Sequence, residues 1–215
     1  MPRAPDVYEK HVKWNLDLPE GEGEPERINY NSMHEYKDKV RELFREESEL
    51  GWMEEMKDED AKAKFGKDLW ISALGVVEEP GKVRVIHDAT HGVEVNNRIR
   101  IQDQVRYPGA GELRQLLRER REAGIKTFAI VGDASKAHRR IKVAERDWGF
   151  QACRLDEGRL WVNTVGTYGV ASAGYFWSRL AAALVRLIYY LIGDRWSPEV
   201  LIFADDWKML AARAT

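Results

Sequence analysis

Cysteine is nearly missing from this chain of 215 residues: Cys153 stands alone and cannot form an internal disulfide. The first residues also lack the charged start, apolar run and small-residue cleavage site of a secretory leader. Together these absences predict an intracellular protein of the cytoplasm or nucleus. Long hydrophobic runs are scarce as well. The longest, Leu180 to Ile192, is interrupted by Arg186 and falls short of the roughly 20 residues that a bilayer requires. It is expected to be a core helix, with no membrane partner. Net charge is small, at -2, which argues against a protein that grips a polyanion over its whole surface. No internal repeat is visible.

What is present is a chain that is 44% hydrophobic, enough to bury a real core, with its charge unevenly distributed. Residues 1–80 hold 12 Lys and Arg against 21 Asp and Glu; residues 81–215 hold 22 against 15. A basic stretch of this kind suits a polyanion, although two solvated faces of opposite sign would read the same way.

Residues 1–31 mix Pro, Gly and Glu without a hydrophobic period and are expected to form an acidic arm or linker. Ser32 with Glu35 reads as a capping box. Tyr36, Val40, Leu43, Phe44 and Leu50 then follow at helical spacing as far as Gly51. A second helix is expected from Trp52 to Phe65. From Leu69 the pattern becomes extended, and a Pro-Gly turn divides it into a hairpin ending at Asp88. Gly109 to Gly124 reads as a surface helix, Lys126 to Val131 as a strand, and Ala134 to Lys142 as a helix. Trp148 to Leu155 and Leu160 to Asn163 read as a second hairpin, Ala171 to Ile192 as a long helix, and Val200 to Ala204 as a strand.

Two apolar strands deliver carboxylates at their ends. Thr127-Phe-Ala-Ile-Val-Gly leads into Asp133, and Val200-Leu-Ile-Phe-Ala leads into Asp205-Asp206. Carboxylates brought together repel unless a cation lies between them, and their hard oxygens suit Mg²⁺ or Mn²⁺. Taken singly, an Asp-Asp pair after a strand is an ordinary solvated turn, and an Asp after Gly an ordinary helix cap. Their ordered occurrence points to a shared site.

From about Leu69 to Leu210 the order and spacing resemble the palm of retroviral and retrotransposon reverse transcriptases. The first motif reads Asp133-Ala-Ser-Lys-Ala137-His138-Arg-Arg-Ile141-Lys142-Val143. The second reads Gly166-Thr-Tyr168-Gly169-Val-Ala-Ser-Ala173-Gly174-Tyr-Phe176-Trp177, and the third Phe203-Ala204-Asp205-Asp206. Upstream, Lys82-x-Arg84-x-x-x-Asp88, with Asn96 beyond, is similar to the fingers segment that holds the incoming triphosphate. Tyr107-Pro108-Gly109 is similar to the link from fingers into palm.

The resemblance implies an α+β fold: a right-hand polymerase with fingers and palm, an antiparallel palm sheet backed by helices, and no thumb. It divides the chain into the arm (1–31), a fingers-like region with N-terminal helices and a strand hairpin (32–125), and a palm cut short after the Asp-Asp hairpin (126–215). It implies RNA-directed DNA polymerase activity with two Mg²⁺ ions, Mn²⁺ being able to substitute. Asp133, Asp205 and Asp206 would be the catalytic metal ligands. Lys82, Arg84, His138, Tyr168 and Gly169 would contact substrate. The partners implied are an RNA or DNA template with its primer, and deoxynucleoside triphosphates.

The chain departs from the family at three positions. His138 stands where the family has Tyr or Phe, the wall against a ribose 2'-hydroxyl; Gly174 replaces a common Pro; and Tyr168 replaces Phe or Gln. Two other functions fit the same motifs. One is a truncated retroelement remnant that binds nucleic acid without catalysis, and the other is an RNA-directed RNA polymerase.

Overall fold

The computed structural model describes residues 8–9, 23–101, 104–192 and 198–212. The fold is mixed α+β. In chain order the elements are β1 (Tyr8–Glu9), α1 (Asn31–Glu35), α2 (Lys37–Glu49), β2 (Met53–Lys57), α3 (Asp58–Phe65), β3 (Ile71–Glu79), β4 (Lys82–Asp88), α4 (Val95–Arg98) and β5 (Gln104–Val105). They continue with α5 (Ala110–Glu122), β6 (Phe128–Asp133), β7 (Ala152–Cys153), β8 (Arg159–Asn163), α6 (Ala171–Ile192), β9 (Glu199–Phe203) and β10 (Asp206–Ala211). Short 3-10 turns occupy Gly66–Asp68, Ala137–Arg140 and Glu145–Gln151. The chain divides into two compact units that interleave in sequence: residues 1–13, 101–137 and 174–215 form one, and residues 14–100 and 138–173 the other.

The second unit carries a mixed five-stranded sheet in the order β2-β8-β7-β3-β4, with β3 and β7 parallel and the other neighbours antiparallel. Helix α2 presents Val40 and Phe44, four residues apart and so on one face, to Met53, Leu74, Val76, Cys153 and Trp161. Burying each such side chain contributes about 1.5–3 kcal/mol. A second cluster joins Ala61 and Phe65 of α3 to Ile71, Ala152, Leu160 and Val162.

Polar groups are buried in this unit as well. The Arg139 side chain is only 3% exposed; it pairs with Glu47 and donates to the Asn163 side-chain oxygen at 2.6 Å. Asn163 in turn donates to the Gln151 carbonyl at 2.9 Å. His87 is held neutral, its pKa lowered to about 3 by burial and by the nearby Arg139 charge. Burial also pushes the Cys153 thiol up, keeping it protonated and inert.

The first unit has an antiparallel three-stranded sheet in the order β6-β10-β9 and a small β1-β5 ladder. Ala173, Trp177, Ser178 and Ala181 are the buried positions on α6, whereas Phe176, Leu180, Leu184, Leu187 and Leu191 are exposed. The expectation of a core helix is therefore corrected: one stripe is covered and an apolar stripe faces outward. By length and apolarity α6 meets the requirement for a membrane span, with 17% of its most apolar stretch buried.

Several local expectations also need correcting. The capping box at Ser32 is not formed, because the Ser32 hydroxyl accepts the Val76 N–H at 3.0 Å. The helix that follows breaks at Tyr36 into α1 and α2. Met53–Lys57, expected to be helical, is a strand, since pairing with β8 wins over its helix-favouring Glu and Lys residues. The helix expected over 134–142 shrinks to the 3-10 turn at Ala137–Arg140, and the hairpin arm over 148–155 shrinks to β7. Of the expected arm, residues 1–7 and 10–22 lie outside the described residues. Its last part runs beside β3, with Arg27 N–H donating to the Ile71 carbonyl at 3.1 Å and Tyr30 N–H to the Leu74 carbonyl at 2.9 Å.

Candidate active site

Strand register assembles the three aspartates. Asp133 ends β6, Asp206 begins β10, and the two are directly opposed in the antiparallel ladder. Opposed residues project from the same face. Phe203 and Asp206 close the β9–β10 hairpin, which leaves Ala204 and Asp205 as its two turn residues. Ala204 has φ 53°, the positive value that primed hairpin turns demand and that glycine ordinarily supplies. An alanine there costs roughly 1–2 kcal/mol, so neighbouring contacts must fix the turn.

Those contacts are specific. The Trp177 indole N–H donates to the Ala204 carbonyl at 2.8 Å, and Ala134 N–H donates to the Asp205 carbonyl at 2.8 Å. The Phe203 ring lies 5.3 Å from that of Tyr107, whose hydroxyl shares a 2.9 Å hydrogen bond with Ser178. Gly132 is required by its surroundings, because the Trp207 indole lies where a Cβ would stand. Trp177, Tyr107 and Trp207 were not among the expected site residues. The first two sit inside the quoted motifs, but only the turn geometry gives them a role.

Asp133 and Asp206 are exposed and Asp205 is half-buried. Carboxylate oxygens within reach of solvent are the donors that Mg²⁺ and Mn²⁺ take, so the residue types fit such ions. Among the described residues, no group of three or more His, Cys, Asp or Glu side chains converges closely enough to hold a metal ion. The register therefore gathers the three residues without drawing their carboxylates into one cage.

The substrate-contact candidates lie in the five-stranded unit. His138 and Tyr168 are brought together, with ring centroids 4.7 Å apart. Gly169 adjoins them with φ 99°, and a Cβ there would collide with the His87 carbonyl oxygen. Asn96 holds this loop. Its side-chain amide donates to the Gly169 carbonyl at 2.7 Å and to the Thr90 hydroxyl at 2.8 Å, while its oxygen accepts the Ala171 N–H at 2.9 Å. Asn96 thus positions the loop and caps the start of α6.

Lys82 and Arg84 alternate on the exposed face of β4, and Arg84 pairs with Glu79 at 2.9 Å. Asp88, at the end of the same face of β4, is a local anchor. Desolvation works to raise its pKa, but hydrogen bonds from the Tyr30 hydroxyl, the His91 and Thr90 N–H groups and the His91 ring outweigh it and hold the carboxyl at about 2. No family model matches the chain and no curated protein does, so the arrangement itself carries the functional reading.

Proposed function

We propose that the chain is a template-directed nucleotidyltransferase of the reverse-transcriptase kind, an RNA-directed DNA polymerase with right-hand fingers and palm. The observation that supports this reading is the direct opposition of Asp133 and Asp206, with Asp205 in the adjoining braced turn. Asp133 and Asp205 would hold the metal ions, and Asp206 would support them or order the hairpin. Two bound Mg²⁺ ions would activate a primer 3'-hydroxyl and neutralise charge developing on the leaving pyrophosphate. The residues themselves act by placing charge rather than by covalent chemistry. Lys82 and Arg84 are the cations assigned to the triphosphate, and Tyr168, Gly169 and His138 the residues assigned to the nucleotide.

A second reading, nucleic-acid binding without catalysis, rests on the basic excess of residues 81–215, which suits a polyanion with or without a reaction. Primer extension on an RNA template with Mg²⁺ or Mn²⁺ decides between them. Template-dependent synthesis that falls about 10³-fold in Asp205→Asn is expected. Equal synthesis by both proteins removes the polymerase reading, and salt-sensitive binding to an RNA–DNA hybrid without any synthesis supports the second.

A further inference from the structure

The five-stranded unit contains a cleft of about 440 Å³ that the aspartates and the substrate-contact candidates do not use. Three chain segments form its walls: Leu50–Glu54, Arg139–Val143 and Thr164–Val165, with Trp148 beside them. These segments are tied to one another through the backbone. Thr164 N–H donates to the Trp52 carbonyl at 3.0 Å, Val143 N–H to the Thr164 carbonyl at 3.1 Å, and the Thr164 hydroxyl to the Gly51 carbonyl at 2.8 Å. The Trp148 indole N–H is committed to the Val143 carbonyl at 2.9 Å, which fixes the ring. A cleft stapled in this way is formed before any ligand arrives, which lowers the ordering cost of binding.

Its chemistry is aromatic and cationic. Arg140 and Lys142 are exposed on the rim, against one exposed acid, Glu54. The Arg139 and Arg140 guanidinium groups lie 6.0 and 5.9 Å from the Trp52 ring centre, within cation–π range. Lys64, held by Glu145, lies 4.9 Å from the ring centre of Trp148. Half-buried indoles beside exposed cations suit a polyanion whose own rings can stack. An acidic peptide would use the charge and leave the aromatic groups idle.

The geometry points to this cleft as a binding groove for single-stranded nucleic acid, separate from the aspartates. Arg140 and Lys142 would track the phosphates, while the indoles meet unpaired bases. A duplex, with its bases already stacked, would gain only the charge contacts.

The test is fluorescence anisotropy of a labelled 12-nucleotide oligouridylate with the full chain, in EDTA so that metal-dependent chemistry plays no part. The double variant Arg140→Glu/Lys142→Glu is expected to bind at least about tenfold more weakly. The slope of log affinity against log salt should fall by about 1.4, the value for two single-strand phosphates. Circular dichroism checks that the variant is folded. A second measurement needs no variant: oligonucleotide containing 4-thiouridine, irradiated on the wild-type chain, should crosslink to peptides containing Trp52 or Trp148. Unchanged affinity and slope in the folded variant, crosslinks confined to other segments, or equally tight binding of a duplex of the same length would each overturn the proposal.

Discussion

The three-stranded unit leaves more large apolar side chains uncovered than the five-stranded unit does, while each unit buries one arginine, Arg120 in the former and Arg139 in the latter. In the first, Val131 on β6 and Leu191 on α6 are 66% and 71% exposed. In the second, the Arg139 guanidinium is enclosed with Glu47 and Asn163 around a closely packed sheet. The second unit is thus built as a scaffold, in which a buried ion pair is tolerated because every partner is supplied. The first places its polar chemistry at one strand end and spends little of its apolar surface on packing. Stability should therefore depend mainly on the five-stranded unit, and the proposed nucleotidyl transfer on the aspartates of the three-stranded one.

The largest expected effect tests the catalytic half of that division. Asp133→Asn should lower nucleotide incorporation about 10³-fold while shifting the urea midpoint little, because the residue is exposed. A large loss of stability would mean that Asp133 is a structural residue instead.

Next in size, Arg139→Ala should destabilise the chain by about 3 kcal/mol in urea unfolding, since it breaks the pair with half-buried Glu47 and removes the donor to the fully buried Asn163 side-chain oxygen. A loss below 1 kcal/mol would show that the buried pair is not structural. Gly169→Ala should cost roughly 3 kcal/mol, because it combines a positive φ with a collision at the His87 carbonyl.

The pH dependence sharpens the contrast further. His87 is neutral in the fold with a pKa of about 3, below its ordinary 6.5, so the unfolded chain takes up the proton first. Its contribution is complete above pH 6.5 and is lost as pH falls from 6.5 towards 3, at up to about 1.4 kcal/mol per pH unit. His87→Leu should flatten that part of the stability–pH curve, measured by urea titration at successive pH values. The smallest effect is expected from Trp177→Phe, which removes the hydrogen bond to Ala204. It should cost about 1 kcal/mol and be detected as faster amide exchange in residues 203–206.

How much of this was legible in the sequence follows from the range of the forces involved. The hairpin of β3 and β4, helix α5 and helix α6 appeared where periodicity and turn residues placed them, because their signals are local. The strand expected over 200–204 instead ends at Phe203, so that Ala204 joins the turn and Asp206 already belongs to β10. Met53–Lys57 misled because its residues favour a helix locally, while its partner β8 lies more than 100 residues away. Ser32 misled similarly: a hydroxyl at a helix start reads as a cap, and only the sheet edge at Val76 reveals its other acceptor role. The three aspartates could be found from their strand-end positions, and the register that opposes Asp133 to Asp206 agrees with the adjacency expected for those strand ends. Nothing short-range announces Trp177 as the donor to Ala204, or Asn96 as the clamp on Gly169. Those roles depend on residues 27 and 73 positions away.

The interleaving of the two units limits how this protein can change. The chain passes from one to the other after residues 13, 100, 137 and 173, so no single cut releases either as one piece. A gene rearrangement that moved the aspartates into a new setting would have to carry the scaffold along. The two units are consequently encoded and expressed together, and a lineage could lose the aspartates by point substitution far more easily than by deletion.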